Sequence, residues 1–428
     1  MLSTINDGLP FVEEWKKGAT EKEKQLIAEN EEKGFLIDIN IELDDMNEGL
    51  SIKRLQVKNN KFVYFFLVEC IRTKEITKII HYWVKLSSIK KGWVNDFNII
   101  ILRYVLRKYF KLSQIFQIHS NHVTSVDFSP NGTQIVSTSR DNTIRIWDIN
   151  LGKEAQVLIG HSSSVNDAHF SPDGNIIASC SDDNTIRLWD TRSWKEIKQL
   201  EGHFNCVKSV QFSPNGKNIA SGSLDGTVRI WDVKSGQELK LLITDDSDEM
   251  HCVQFSPDGR LICGASSENI TIWDVESREI MAEWEENSGD IQKIQFFPDC
   301  SSMVICSDEI IRIWDLMSIT KKKELKALRS VEDIINDVKF FPDDQHTIVS
   351  CSNTGSIQLW DVKLGVEIQK LKYLKQIIGV TISPDGNTLV SCAADGTIQL
   401  WETLWKSSYK RNHQIDLLLH QLSSFFDV

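Results

Sequence analysis

A six-residue stretch that ends in Trp–Asp returns along this chain and constrains the fold more than any other feature. Its first three copies are Thr143–Asp148, Thr185–Asp190 and Thr227–Asp232. Looser copies end at Trp273–Asp274, Trp314–Asp315, Trp360–Asp361 and Trp401–Glu402. Successive tryptophans are 42, 42, 42, 41, 46 and 41 residues apart. A fixed period of this length indicates one small structural unit repeated in series.

A proline turn keeps the same period. Its copies are Phe128–Gly132, Phe170–Gly174, Phe212–Gly216, Phe255–Gly259, Phe296–Cys300, Phe340–Asp344 and Ile382–Gly386. Seven of the eight prolines lie in it, where proline fixes φ and glycine accepts positive φ. Two motifs in phase, one of them ending in Trp–Asp, resemble the WD-repeat (beta-transducin-like repeat) family.

The resemblance implies a mainly β fold, a seven-bladed β-propeller of four-stranded antiparallel blades, over residues 112–405. The second repeat shows the expected strands most clearly, at Val165–Phe170, Asn175–Ser181, Thr185–Asp190 and Glu196–Leu200. In such propellers the outermost strand of the last blade comes from the N-terminal side of the array. We therefore expect Ser113–Ile118 to pair with Thr397–Trp401, which leaves the ring without a free edge.

Residues 1–111 lack the repeat and predict a small helical or α+β module of a family that we do not recognise. A capping box at Thr20–Glu23 opens a charged helix. Alternation over Phe35–Leu43 predicts a strand, with Leu50–Val57 and Phe62–Ile71 as partner strands. Two helices follow, over residues 75–86 and 96–110. The module is either a packing collar for the propeller or an oligomerisation or docking module.

A C-terminal segment, residues 406–428, follows the array. Helical spacing of apolar residues over Gln414–Phe426 predicts a short amphipathic helix there. The helix is expected to fold back on the propeller, and a helix that binds a partner is the alternative.

Composition narrows the partners and the compartment. The formal net charge of −12 disfavours nonspecific binding to nucleic acid. The N-terminus does not have the pattern of a secretory signal, and no apolar run is long enough to span a bilayer. Nine cysteines without a C-x-x-C pair are expected to be reduced. We expect a cytoplasmic protein, without excluding the nucleus.

Three repeats contain a His, a Ser, an Asp and a Trp at fixed offsets. These tetrads are His119, Ser137, Asp141 and Trp147; His161, Ser179, Asp183 and Trp189; and His203, Ser221, Asp225 and Trp231. A Ser–His–Asp set invites a hydrolase interpretation. However, a catalytic set occurs once in an active site, whereas this one recurs every 42 residues together with its tryptophan. We predict a structural hydrogen-bond chain that satisfies the buried indole, as in the blades of WD-repeat proteins.

The later repeats depart from this pattern. They lack the histidine, and Ser267 and Thr354 replace the turn aspartate in the fourth and sixth repeats. Blades 4 and 6 are therefore expected to open first in hydrogen exchange. The sequence also lacks a P-loop, a G-x-S-x-G elbow and any His/Cys cluster at metal-ligand spacing. We expect no cofactor, no metal site and no enzyme activity.

The resemblance places partner contacts on the rim where the inner strands begin and the tight turns lie. The candidate rim residues are His122, Thr124, Arg140, Ser164, Asn166, Asp182, Lys208, Leu224, His251, Gln292, Asn336, Asn353 and Gln376, with Cys206, Glu249, Ser266, Asp290, Ser307, Ile334, Ile378 and Ala394 at equivalent positions. This mixture of acids, amides and few bases suits a peptide with one or two basic side chains.

Three functions remain open. The first is a non-catalytic scaffold that docks a protein or peptide on the rim. The second is a substrate-reading or sensor subunit of a signalling or ubiquitin-ligase assembly. An enzyme is the least favoured. No small-molecule substrate, nucleic-acid partner or membrane span is expected.

Overall fold

The computed structural model describes most of the repeat array and little of what surrounds it. The described residues are 109–403 without 118, 244–248, 287–288, 317–323, 330–333 and 343, together with the backbone of 39–42, 54–57 and 63–64. The chain divides into two compact units, residues 1–101 and 102–428.

In the first unit the described residues form a three-stranded antiparallel sheet. Its strands, in spatial order, are β1 (Ile39–Glu42), β2 (Arg54–Val57) and β3 (Val63–Tyr64). Each strand lies within one of the three predicted strand segments and is shorter than it. Four helix predictions lie outside the described residues: those at 20–34 and 75–86, residues 96–108 of the helix predicted at 96–110, and the C-terminal helix. The helix predicted at 96–110 is wrong at Phe110, because this residue begins a strand.

The described residues of the second unit form twenty-eight strands in seven four-stranded antiparallel sheets. Strand β4 is Phe110–Gln117. Blade 1 consists of β5 (Val123–Phe128), β6 (Gln134–Ser139), β7 (Thr143–Asp148) and β8 (Lys153–Ile159). Blade 2 consists of β9 (Val165–Phe170), β10 (Ile176–Ser181), β11 (Ile186–Asp190) and β12 (Glu196–Leu200). Blade 3 consists of β13 (Val207–Phe212), β14 (Asn218–Ser223), β15 (Thr227–Asp232) and β16 (Glu238–Ile243).

The other four blades have the same order. Blade 4 consists of β17 (Cys252–Phe255), β18 (Leu261–Ala265), β19 (Asn269–Asp274) and β20 (Ile280–Glu285). Blade 5 consists of β21 (Ile291–Phe296), β22 (Ser302–Ser307), β23 (Ile310–Asp315) and β24 (Glu324–Arg329). Blade 6 consists of β25 (Ile335–Phe341), β26 (Asp344–Ser352), β27 (Ser356–Asp361) and β28 (Val366–Lys372). Blade 7 consists of β29 (Ile377–Ile382), β30 (Thr388–Ala393), β31 (Thr397–Thr403) and β4.

The ring is closed by the strand that precedes the first blade. Strand β4 pairs antiparallel with β31, with Gln117 opposite Thr397 and Leu112 opposite Trp401. The strand begins at Phe110, three residues before the predicted start. The reason is that the Phe110 backbone makes two 2.9 Å hydrogen bonds with the Gln369 side chain of blade 6. The closing strand is thereby attached to two blades.

Apolar packing between neighbouring blades accounts for the stability of the ring. Seven hydrophobic clusters lie among the described residues, one at each junction between blades. At the junction of blades 7 and 1, Phe116, Val123 and Ile398 lie in one cluster. Sheets that are covered on both faces need strands that are apolar on both faces, which explains why the second and third strands read as nearly continuous apolar runs.

The proline turns form contacts at the end of the ring opposite the rim. Pro130 packs against Gly174 of the next blade, and Pro384 of blade 7 packs against Gly132 of blade 1. These glycines have φ values of 72° and 69°, a left-handed conformation that other residues rarely adopt. The turn therefore reverses the chain and also joins neighbouring blades at the four junctions from blade 7 through blade 1 to blade 4.

Candidate functional site: the rim and the central channel

The tetrads form continuous hydrogen-bond chains in blades 1 to 3. In blade 2, His161 Nδ1 lies 2.8 Å from Asp183 Oδ2, and its Nε2 lies 2.8 Å from Ser179 Oγ. Trp189 donates its indole N–H to the same Oγ at 2.9 Å. Blade 1 repeats the chain at 2.9, 2.9 and 2.9 Å, and blade 3 at 2.8, 2.7 and 2.9 Å.

The donors and acceptors of the chain fix its protonation. Because the serine oxygen accepts the indole proton, its own hydroxyl donates to Nε2, and Nδ1–H donates to the aspartate. Burial lowers the pKa of His119 and outweighs the hydrogen bond that His119 donates to Asp141. Burial would raise the pKa of Asp141, but hydrogen bonds from Thr143 and His119 lower it to about 2. A neutral imidazole beside a carboxylate is therefore the resting state.

The tetrad serines are inaccessible to a substrate. Ser137, Ser179 and Ser221 are each 0% exposed, so none can act as a nucleophile without opening the blade. The glycine before each histidine in blades 2 and 3 contributes to this packing. A Cβ at Gly160 would lie 2.8 Å from the Trp189 ring, closer than real Cβ atoms approach. The tetrads hold blades together.

Blades 4 and 5 replace the tetrad with other contacts. In blade 4, Gly264 occupies the serine position, and a Cβ there would lie 2.9 Å from the Trp273 ring. In blade 5, buried Glu286 lies 2.7 Å from Arg312, which also lies 3.0 Å from Glu324. Packing in one blade and a charged network in the other take the place of the histidine chain.

Blades 6 and 7 keep the end of the chain without the histidine. Trp360 donates to Ser350, and Trp401 donates to Ser391, each at 2.9 Å. In blade 7 the Tyr373 hydroxyl lies 3.2 Å from the turn acid Asp395. Tyr373 occupies the sequence position of the tetrad histidine, 22 residues before Asp395, and replaces it as the partner of the turn acid.

The candidate rim residues meet in pairs. The residue before the turn aspartate position donates its backbone N–H to the backbone carbonyl of the residue that precedes the inner strand. The five pairs, donor first, are Arg140 and His122, Asp182 and Ser164, Leu224 and Cys206, Asn353 and Ile334, and Ala394 and Gln376, at 2.9–3.0 Å. Ser266 and Ser307 are buried, at 3% and 0% exposure, and are not available at the surface. The other candidates are exposed or half-buried.

Several rim residues are hydrogen-bonded to each other across blades. Asp182 Oδ1 accepts from Asn166 at 2.8 Å and from Lys208 of blade 3 at 2.6 Å. Burial would raise the pKa of Asp182, but these two contacts lower it. At the junction of blades 6 and 7, Asn353 Oδ1 accepts from Asn336 at 2.8 Å and from Gln376 at 2.6 Å. A partner at these two places meets groups that are already paired.

The rim of blades 4 and 5 carries exposed acids. Glu249, Glu268, Asp290 and Glu309 are exposed in its loops, and we call them the acidic sector. The described rim loops of these two blades contain no Lys or Arg. Two of the acids lie near His251, whose pKa is lowered because burial outweighs the carboxylates of Glu249 and Asp290.

Polar side chains also line the central channel, and the sequence interpretation missed them. The first channel ring, one residue per blade, is Ser125, Asp167, Ser209, Cys252, Lys293, Asp337 and Gly379. The second channel ring is Asp127, His169, Gln211, Gln254, Gln295, Lys339 and Thr381. Aligning the seven inner strands reveals them, because five of the seven residues of the first ring and all seven of the second are polar or charged.

One side of the channel is an ion-paired chain. Ser125 donates to Asp167 at 2.7 Å, and His169 lies 3.0 Å from Asp127 and 3.3 Å from Asp167. Burial would lower the pKa of His169, but Asp167 and Asp127 raise it to about 9. The imidazolium is therefore charged at neutral pH.

Within the part of the chain that the structure describes, no three His, Cys, Asp or Glu side chains are grouped so as to hold a metal ion. The same part contains no helix with the length and apolar character needed to cross a bilayer. The eight cysteines of the described residues are all free thiols.

The repeats match a known family over more than half of the chain. The matching family is the WD domain, G-beta repeat, at residues 110–148, 152–190, 194–232, 237–274, 278–315, 323–361 and 368–402. The chain belongs to this family. Each match combines the outer strand of one blade with the three inner strands of the next, so the seven WD repeats are offset by one strand from the seven blades. The predicted seven-bladed propeller is confirmed.

Two relatives match short parts of the chain. A segment of 59 residues is 41% identical to U3 small nucleolar RNA-associated protein 21 of Saccharomyces cerevisiae, over 14% of this chain and 6% of that protein. A segment of 126 residues is 29% identical to Protein Notchless of Drosophila melanogaster, over 28% of this chain and 24% of that protein. The chain thus covers far less than two thirds of either relative.

Proposed function

We propose that this WD-repeat propeller is a non-catalytic scaffold that docks a peptide or protein segment with basic side chains on the acidic sector. The observation that carries the proposal is that four exposed acids share the rim loops of blades 4 and 5, where the described residues hold no Lys or Arg. The sequence adds Asp245, Asp246 and Asp248 just before Glu249.

The adjacent blade offers an apolar contact for the same ligand. Phe204 in the rim loop of blade 3 is 86% exposed, although a residue of this type is usually buried. The Arg229 guanidinium lies 5.6 Å from its ring centroid and holds one face of the ring. Aromatic anchors beside complementary charges are typical of binding hot spots. A segment with one apolar and one or two basic side chains fits this arrangement.

The exposed charges are expected to affect which partner binds more than they affect how tightly it binds. One exposed ion pair contributes only about 0.2–1 kcal/mol. Several like charges together speed the approach of an oppositely charged partner and repel a like-charged one. The proposal therefore predicts discrimination by charge and a strong dependence on salt.

The experiment is a fluorescence anisotropy titration of the full chain with a short labelled peptide that carries one Phe and two Arg. The double variant Glu249→Gln/Asp290→Asn is expected to bind it about three- to tenfold more weakly, and Phe204→Ala to weaken it as well. The control is Glu276→Gln/Glu279→Gln, which removes two exposed acids from the same blade at the opposite end. Equal affinities of both double variants would contradict the proposal.

Compartment and wider assembly also belong to this proposal. We place the protein in the cytoplasm or nucleus, on the basis of its free thiols in the described residues. The sensor or ubiquitin-ligase hypothesis remains a prediction, as does the absence of enzyme activity. One relative is named for its association with a small nucleolar RNA, so a labelled RNA oligonucleotide belongs in the titration. RNA that binds more tightly than the basic peptide would contradict a protein partner.

A further inference from the structure

Lys293 is an unusual cation because it lies inside the propeller without a contact partner. It extends from β21 into the central channel, where it lines a small cavity together with residues of blades 2 to 6. Its ammonium makes no hydrogen bond or ion pair with any residue that the structure describes. Lys208 on the rim differs, since it lies 2.6 Å from Asp182. Lys293 is half-buried, and a cation that is partly withdrawn from water is ordinarily paired.

The nearest acids are occupied by other groups. Asp167 accepts from Ser125 and lies beside His169. Asp337 accepts backbone N–H groups on both oxygens, from Val338 at 2.8 Å and from Val380 at 3.0 Å. These carboxylates act on Lys293 at a distance only. Burial disfavours its charged form, but Cys252, Asp167 and Asp337 outweigh this and raise its pKa, so the ammonium persists.

Side-chain amides next to Lys293 have donors to spare. Gln211 Oε1 accepts the N–H of Phe255 at 2.5 Å, and Gln254 Oε1 accepts the N–H of Phe296 at 2.7 Å. Each amide group therefore keeps its two Nε2 protons for another acceptor. Gln295, beside them in the cavity, has a buried Oε1 without a hydrogen-bond partner. This oxygen is an acceptor, so it calls for a donor such as water and is not part of the donor set.

The charges of the cavity favour an anion. Its charged lining residues are Lys293, Lys339, His169 and Asp167, and the imidazolium is already paired with two acids. An ammonium and two amide N–H donors that face one cavity are a donor set for an oxyanion. A cation would find no unoccupied carboxylate there.

We propose that the central channel binds a small oxyanion, a carboxylate or a phosphate, between the Lys293 ammonium and the side-chain amides of Gln211 and Gln254. The site lies below the rim, is distinct from the acidic sector and does not depend on it. Either a free anion or an acidic side chain that enters the channel from a bound protein supplies this group.

The test is isothermal titration of the full chain at constant ionic strength with inorganic phosphate, with acetate and with a Gly-Gly-Asp-Gly-Gly peptide blocked at both ends. Saturable binding of at least one probe is expected, and Lys293→Gln is expected to weaken it about tenfold or more. Lys293→Arg is expected to retain most of the affinity. Lys370→Gln, which removes an exposed lysine on β28, is the control and is expected to bind like the wild type.

A second variant keeps the test valid if Lys293→Gln does not fold. Gln254→Glu keeps an acceptor for the Phe296 N–H and adds a negative charge to the cavity, so it is expected to abolish anion binding. If phosphate or acetate binds and the peptide does not, the source is a free anion; the reverse identifies a protein side chain. No saturable binding of any probe by the wild type, or unchanged affinity in Lys293→Gln, would overturn the proposal.

Discussion

Blades 1 to 3 and blades 4 to 7 share one backbone plan but use their polar residues differently. In the first group each blade has a four-residue chain from a turn aspartate to a buried indole. In the second group the chain is cut short or replaced, the rim of blades 4 and 5 carries four exposed acids, and Lys293 of blade 5 extends into the channel. The acidic sector and Lys293 both belong to this irregular group.

This difference indicates a division of labour. A tetrad takes up the polar groups of the rim turn, since the aspartate also accepts backbone N–H groups there, as Asp183 does from Ser162 and Thr185. A blade without the tetrad does not need all four side chains of the tetrad at these positions. Its loops are free to carry charges such as Glu268 and Glu309. The complete tetrads therefore stabilise the ring, and we propose that the irregular blades 4 and 5, together with Phe204 of blade 3, bind the partner.

The largest expected effect is the loss of a tetrad indole. Trp189→Ala is expected to lower the free energy of unfolding by about 3–5 kcal/mol, because it empties a fully packed site between blades 1 and 2. Denaturant unfolding followed by circular dichroism measures it. A loss below about 1 kcal/mol would show that the blades do not depend on their tryptophans.

The second-largest expected effect compares the complete tetrad of blade 2 with the shortened chain of blade 6. Ser179→Ala leaves both the imidazole and the indole of blade 2 without their shared partner, and is expected to cost about 2–3 kcal/mol. Ser350→Ala in blade 6 removes a serine that serves Trp360 without a histidine, and is expected to cost about 1 kcal/mol. The same denaturant unfolding experiment measures both losses in the free energy of unfolding. Equal losses would contradict the distinction between complete and shortened chains.

A pH effect is expected from the turn aspartates. The pKa of Asp141 is about 2 in the fold and 3.8 as its ordinary value, so the fold favours the ionised form. This contribution is complete above pH 4 and is lost as the pH falls through 2. The stability difference between wild type and Asp141→Asn is therefore expected to shrink between pH 4 and pH 2. Glu276→Gln is the control, and a difference that stays constant would contradict the assignment.

The smallest effect concerns local opening. The tight turns of blades 4 and 6 have Ser267 and Thr354 in place of the aspartate whose carboxylate accepts turn N–H groups in blades 1 to 3. Amides of these turns are expected to exchange about tenfold faster than those of blades 1 to 3, which corresponds to about 1.4 kcal/mol of opening free energy. Hydrogen exchange followed by mass spectrometry measures the difference. Faster exchange in blade 2 than in blade 6 would reverse the comparison.

The sequence predicted the fold because its two markers are themselves structural. The Trp–Asp strand and the proline turn recur in phase, so they placed the blades and the closing strand, although not the residues Phe110–Leu112 at its start. Those residues are held by Gln369, which is 259 positions away in the chain. Contacts of this kind leave no local pattern. The contact of Tyr373 with Asp395 differs, because these residues have the same 22-residue separation as the tetrad His and Asp.

The candidate site was predictable only in part. The rim positions followed from the resemblance, but the pattern did not reveal that Ser307 is buried or that Asp182 already holds Lys208. The channel was missed because Lys293 looks like one polar residue of an amphipathic strand until seven strands meet around an axis. Whether a partner binds the rim remains a prediction.

The most direct test of the division of labour measures stability and peptide affinity on two variants side by side. Asp183→Ala in blade 2 is expected to lower the free energy of unfolding by about 1–2 kcal/mol and to leave affinity for the Phe/Arg peptide unchanged. Glu249→Gln/Asp290→Asn in blades 4 and 5 is expected to lower the affinity and to leave the unfolding free energy within about 0.5 kcal/mol of the wild type. Weaker peptide binding by Asp183→Ala, with the rim double variant unchanged in affinity, would contradict the account.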